Sequence, residues 1–136
     1  MKIVYFSVIA FLIVSCSPFG LNPMGYEVQE MPLEEAWKLV SSMKYIPDTS
    51  EYCKSPMEFF SDGGGDCEDF AIALVYLLGP QSTLIIIPMH AVVYYKGQYI
   101  EPQLFGYIYD NVSAILLTIE YTEVMYRVTD WGTKKI

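Results

Sequence analysis

Residues 66–80, Asp-Cys-Glu-Asp-Phe-Ala-Ile-Ala-Leu-Val-Tyr-Leu-Leu-Gly-Pro, constrain this chain more than any other stretch. Asp66 is a natural N-cap, since its carboxylate accepts from the first-turn N–H groups that have no intrahelical partner. Phe70 to Leu78 is apolar on every side, and Gly79-Pro80 ends the run. A helix without a polar face has to be enclosed by other elements. The rest of the chain must therefore wrap this helix, which carries Cys67 in its first turn.

The flanking segments supply the wrapping. Pro32 suits a first helical position, and Leu33, Ala36, Trp37, Val40 and Met43 recur at helical spacing, so 32–43 reads as an amphipathic helix whose Trp37 stripe is core. Tyr45 to Asp48 is a short extended piece ended by Pro47. Ser55-Pro56-Met57-Glu58 is a capping-box pattern opening a short helix that stops at Gly63-Gly64-Gly65. Strands follow at Leu84–Ile87, His90–Tyr95 and Gln98–Glu101, the last two joined by a Lys96-Gly97 hairpin turn. Tyr107 to Thr118 reads as strand or helix, and Thr122 to Arg127 as a short helix with Thr122 as its cap. Helices first and antiparallel strands after them give an α+β domain, with a buried Cys-bearing helix packed on an antiparallel sheet. The 136 residues allow one such domain, and 15% aromatic residues are enough to fill its core.

The net charge of −8, with only eight Lys and Arg, leaves no basic stripe for phosphates, so nucleic acid is excluded as a partner. The three cysteines, Cys16, Cys53 and Cys67, show neither zinc spacing nor a disulfide-dense pattern. At the N-terminus, Met1-Lys2 precedes an apolar run from Ile3 to Val14, too short for a bilayer span of roughly 20 residues but shaped as an export signal. The run ends at Ile13-Val14-Ser15-Cys16, which is similar to the lipobox of bacterial lipoproteins, with Ile13 where Leu is usual. That resemblance implies cleavage before Cys16, acylation of its thiol and anchoring in the bacterial envelope. Ser17 after the cysteine favours the outer membrane of a Gram-negative host. Residues 1–15 are then a signal peptide, 16–30 a Pro- and Gly-bearing tether and 31–136 the domain.

Cys67 and the chain's single histidine, His90, form the candidate chemistry. A thiol attacks as thiolate, and the first turn of a helix favours the anion through its free N–H groups and dipole. The same N–H groups suit an oxyanion. A nucleophile needs a base and the base an orienting partner. With Lys96 and Gly97 as the turn, Val92 faces Glu101, which lies on the same face as His90 and diagonal to it, within reach of a long side chain.

Ser55-Pro56-Met57-Glu58-Phe59-Phe60, Gly64-Gly65-Asp66-Cys67-Glu68-Asp69-Phe70-Ala71 and His90-Ala91-Val92-Val93, followed by Glu101-Pro102, resemble the bacterial transglutaminase-like cysteine proteinases, within the papain-type superfamily. The resemblance implies a papain-like fold and thiol hydrolysis of a peptide or amide bond, with Cys67 as nucleophile, His90 as base and Glu101 as third member. It implies a protein or peptide substrate in the envelope. Acyl transfer to an amine is the variant outcome. Glu101 stands where Asp is usual, the interval from Cys67 to His90 is short, and the tryptophan common before the Ser/Thr-Pro is absent, with Cys53 near its place and Tyr45 and Tyr52 as substitutes. No cofactor is required. Some members bind calcium through acidic residues flanking the cysteine, here Asp66, Glu68 and Asp69, whose hard oxygens suit that ion; the other reading is that Asp66 and Asp69 cap the helix. The alternative to an enzyme is a binding or structural lipoprotein that keeps the fold without turnover, for which a Cys53–Cys67 disulfide would be one cause. Two soft ligands, Cys67 and His90, are too few for structural zinc.

Overall fold

The computed structural model describes residues 30–47 and 53–130, the side chains of 128–130 excepted. The signal peptide, Cys16, nearly all of the tether, Asp48 and Tyr52 lie outside the described residues. Helix α1 spans Leu33–Ser41 and buries Ala36, Trp37 and Val40. Pro32 stands at its N-cap, one position earlier than expected, because its ψ of 144° is extended, and Met43 falls beyond the C-cap at Ser42. Helix α2, Pro56–Asp62, opens with the capping box read from the sequence: Ser55 Oγ accepts from Glu58 N at 3.2 Å and Glu58 Oε1 from Ser55 N at 2.9 Å.

The three glycines after α2 do more than stop it. Gly63 takes the left-handed C-cap position at φ 85°. Gly64–Gly65 forms strand β2, paired in parallel with β1, Lys44–Tyr45. A Cβ on Gly64 would lie 1.7 Å from the Lys44 carbonyl oxygen, so this approach of two backbones requires glycine.

Helix α3, Cys67–Leu78, is enclosed along its apolar length, Phe70 to Val75 being at most 1% exposed. Each large side chain among them contributes about 1.5–3 kcal/mol on burial, which makes α3 the centre of the core. It packs on a five-stranded antiparallel sheet of order β6-β5-β4-β3-β7, built from β3 (Ser82–Ile87), β4 (His90–Tyr95), β5 (Gln98–Ile100), β6 (Ile108–Tyr109) and β7 (Leu117–Glu120). The architecture is the expected α+β. Its sheet has two edge strands from the segment left open between strand and helix. β7 pairs with β3 across the chain, and Leu116 N donates to Ile86 O at 2.8 Å. Helix α4, Tyr121–Asp130, begins one residue before Thr122, so that threonine is inside the helix and exposed, while Tyr121, Val124 and Met125 are buried. Among the described residues no helix is long and apolar enough to cross a membrane.

Candidate active site

Cys67 opens α3, and the local sequence fixes it there twice. Asp66 Oδ1 accepts from Asp69 N at 3.2 Å, and Asp69 Oδ2 accepts from Asp66 N at 3.0 Å, a reciprocal cap. The second oxygen of Asp69 accepts from Lys54 N at 2.9 Å, which ties the segment before α2 to the start of α3. Lys54 Nζ also donates to Gly64 O at 2.9 Å and pairs with Asp62 at 3.1 Å. The cap leaves no room on the glycine side: a Cβ on Gly65 would meet Asp69 Oδ2 at 2.5 Å.

His90 begins β4 directly after a two-residue turn, and its cross-strand partner is Ile87. Between them Met89 adopts φ 60°, uncommon for a residue with a Cβ, and is 99% exposed. The β4–β5 register pairs Tyr95 with Gln98 and Val93 with Ile100, so Glu101 follows at the position opposite Val92, as the hairpin turn dictates. Lys96 and Gly97 supply that turn with φ 47° and 85°. His90 Nε2 then lies 2.6 Å from Glu101 Oε1. The Cys67 thiol is the largest influence on the titration of the imidazole; with Nε2 given to Glu101, Nδ1 is the nitrogen left for the thiol. His90 of β4 and Glu101 at the end of β5 therefore meet directly, and Cys67 of α3 acts on the same imidazole.

Glu101 is 7% exposed and fully engaged. Oε1 also accepts from the Tyr109 hydroxyl at 2.5 Å, and Oε2 accepts from Gln103 N at 3.0 Å. Its backbone carbonyl accepts from the buried Trp37 Nε1 at 2.8 Å, and its N–H donates to Tyr107 O at 3.0 Å. Phe105 closes the loop by meeting Trp37 edge-on at 5.2 Å.

These contacts set the charges. The hydrogen bond to Cys67, then that to Glu101, push His90 up to about 10, against the burial that favours the neutral ring. Burial works against ionisation of Glu101, but the donors His90, Tyr109 and Gln103 N–H outweigh it and hold its carboxyl below the usual range. Tyr109 is pushed well above the ordinary phenol by burial and by the facing Glu101. Burial, with the adjacent Asp66 carboxylate adding to it, raises Asp69 to about 7 although two backbone N–H groups favour its charged form. An imidazole that holds its proton between a thiol and a carboxylate is suited to stabilise a thiolate and to return the proton to a departing group.

Of the acidic residues beside Cys67, Asp66 and Asp69 form a cap. Both oxygens of Asp69 are taken by backbone N–H groups, and Asp66 Oδ1 by a third. Among the described residues no group of three or more His, Cys, Asp or Glu is arranged to hold a metal ion. Cys53 and Cys67 are not joined in a disulfide, Cys53 being buried and Cys67 partly exposed. Tyr45, one of the proposed stand-ins for the absent tryptophan, pairs with Gly65 two residues before Cys67.

Sequence reasoning missed Trp37 and Tyr109 as members of the site. The helical stripe correctly puts Trp37 in the core, but nothing in that periodicity tells where the indole N–H ends. Tyr109 lies in the segment whose secondary structure was ambiguous. Its one signal was alternation: Tyr107 and Tyr109 share a face two residues apart, and their rings lie 4.9 Å apart.

No protein-family model and no curated protein sequence matches the chain. Solved structures do. Legionella pneumophila LapG is similar at 26% identity with a TM-score of 0.51, over 68% of this chain and 65% of that one. Its calcium-bound form gives 25% and 0.52, over 65% of this chain and 64% of the other. The EGTA-treated form gives 27% and 0.50, over 68% and 63%. The chain thus spans slightly less than two thirds of the length of these neighbours. The shared fold is transglutaminase-like.

Proposed function

We propose that this chain is a thiol hydrolase, a cysteine peptidase or amidase of the transglutaminase-like kind, in which Cys67 attacks, His90 moves the proton and Glu101 orients His90. The observation that supports it most is the single imidazole held at 2.6 Å by a buried, ionised Glu101, with the Cys67 thiol the largest influence on its titration. Likeness to LapG, a transglutaminase-like cysteine protease, supports the same reading.

The chemistry follows from the placement. With the proton held on His90, the Cys67 sulfur adds to the scissile carbonyl carbon. The Cys67 N–H, at the first helical position, has no intrahelical acceptor and faces the developing oxyanion. The tetrahedral species collapses as the imidazolium gives its proton to the leaving amine. Water then gives a proton to the neutral ring and attacks the thioester, releasing the acid and restoring the thiolate–imidazolium pair. An amine in place of that water makes the same site an acyl transferase.

The envelope setting belongs to this proposal too: export by residues 1–15, a lipid on Cys16, and a protein or peptide substrate reached from the membrane surface. Calcium is supported by the calcium-bound neighbour; three oxygens of Asp66 and Asp69 already accept cap hydrogen bonds, and no step is assigned to the ion.

The test is an electrophilic, activity-based thiol probe on the purified protein. Labelling is expected at Cys67 and lost in Cys67→Ala and His90→Asn, with Cys53 unlabelled. Equal labelling of Cys67 with and without His90 would leave only an inert domain.

A further inference from the structure

Two donors share one oxygen at this site. His90 Nε2 and the Tyr109 hydroxyl both meet Glu101 Oε1, at 2.6 and 2.5 Å. The hydroxyl distance lies in the range of short, charge-assisted hydrogen bonds, and the imidazole distance is shorter still than is usual for its kind. A carboxylate on a flexible side chain has several rotamers, and only one aims Oε1 at the imidazole. From the structure we infer that Tyr109 is the positioning residue of the orienting carboxylate: its hydroxyl, delivered from β6, locks Glu101 in the orientation that meets His90 and keeps it ionised. This rests on the hydrolase reading for its consequence, though not for its geometry.

Every group that faces Glu101 bears on the point. The carboxylate meets His90 from β4, Tyr109 from β6 and the Gln103 N–H from the following loop, while the indole of Trp37 in α1 holds its carbonyl. Cys67 lies beyond the imidazole. No lysine or arginine is among these partners. Ionisation of a carboxylate only 7% exposed depends on these few donors. Tyr109 is the one side-chain hydroxyl among them, and burial holds its own proton firmly, so it donates across the whole working pH range. The backbone adds a second constraint. Ile108 pairs with Ile100, next to Glu101 in the chain, so β6 cannot shift register without withdrawing the hydroxyl.

The test is Tyr109→Phe in the full-length protein, with Tyr107→Phe as the control for removing a neighbouring hydroxyl. The first readout is the rate of Cys67 alkylation against pH. In Tyr109→Phe, Glu101 protonates at higher pH and its support for the imidazolium fails sooner. The acid limb is expected to move up by about one pH unit, a tenfold loss of rate on that limb, while Tyr107→Phe stays with wild type. An unmoved acid limb, or one displaced to lower pH, overturns the inference. The second readout needs no reactivity. His90 is the only histidine, so its hydrogen-bonded ring N–H gives one downfield proton resonance. That resonance is expected to shift upfield and exchange faster with water in Tyr109→Phe alone. If wild-type Cys67 proves unreactive, the hydrolase reading fails, and this resonance still decides the role of Tyr109: unchanged position and exchange refute it.

Discussion

Replacing Glu101 with Gln removes the charge from the site and nearly nothing from its volume. The imidazole loses a charge-assisted hydrogen bond of 2.6 Å to a carboxylate that is itself buried. Hydrogen bonds to charged groups contribute about 1.5–3 kcal/mol, which is roughly one to two pKa units at 1.36 kcal/mol per unit. His90 is pushed up to about 10 by Cys67 first and Glu101 second, so the variant does not return to an ordinary histidine. Its midpoint is expected to fall to roughly 8–9. Because the chain has a single histidine, one ring C–H signal followed by NMR from pH 5 to about 11 gives the titration without assignment. A wild-type midpoint near the free-histidine value, or a variant that titrates together with wild type, would refute the electrostatic coupling.

Other outcomes follow from the same structure. Trp37→Phe removes the buried hydrogen bond to the Glu101 carbonyl and the outer part of a tightly packed ring; about 2–3 kcal/mol of stability and a fall of roughly 10 °C in calorimetric Tm are expected. Gly64→Ala places a methyl 1.7 Å from the Lys44 oxygen and breaks the β1–β2 pair; circular dichroism should show a loss of more than about 3 kcal/mol, and a native Tm would contradict the close approach. Stability should decline from about pH 5 toward alkaline pH. Asp69, raised from 3.8 to about 7, contributes stability that is lost as pH rises from the unfolded value through the folded one. His90, raised from 6.5 to about 10, contributes stability that is complete below 6.5 and gone above 10. Glu101, lowered, contributes the opposite arm, lost as pH falls below its ordinary 4.5. A Tm that climbs between pH 6 and 9 would contradict these signs.

Local signals in the sequence carried far because they encode their own geometry. The Ser55–Glu58 box, the Asp66 cap and the Lys96-Gly97 turn each specify backbone contacts within a few residues, and the hairpin register alone put Glu101 beside His90. Gly64-Gly65 shows where local reading ends. Three consecutive glycines read as a helix stop, while the demand for glycine at 64 comes from Lys44, twenty positions away in the chain. The same holds for β7, whose strand character is set by pairing with β3, and for the Trp37 and Tyr109 side chains, whose polar ends meet Glu101 only after α1 and β6 have docked. Short apolar segments such as 107–118 take their conformation from the sheet edge available to them.

The most direct measurement is the rate at which a small haloacetamide alkylates Cys67 at pH 6.5, in wild type and in His90→Asn. An ordinary thiol, with pKa near 8.5, is only about 1% thiolate at that pH. Pairing of the thiol with a protonated His90 predicts that wild type reacts on the order of tenfold faster than the variant. Equal rates in the two proteins would contradict it.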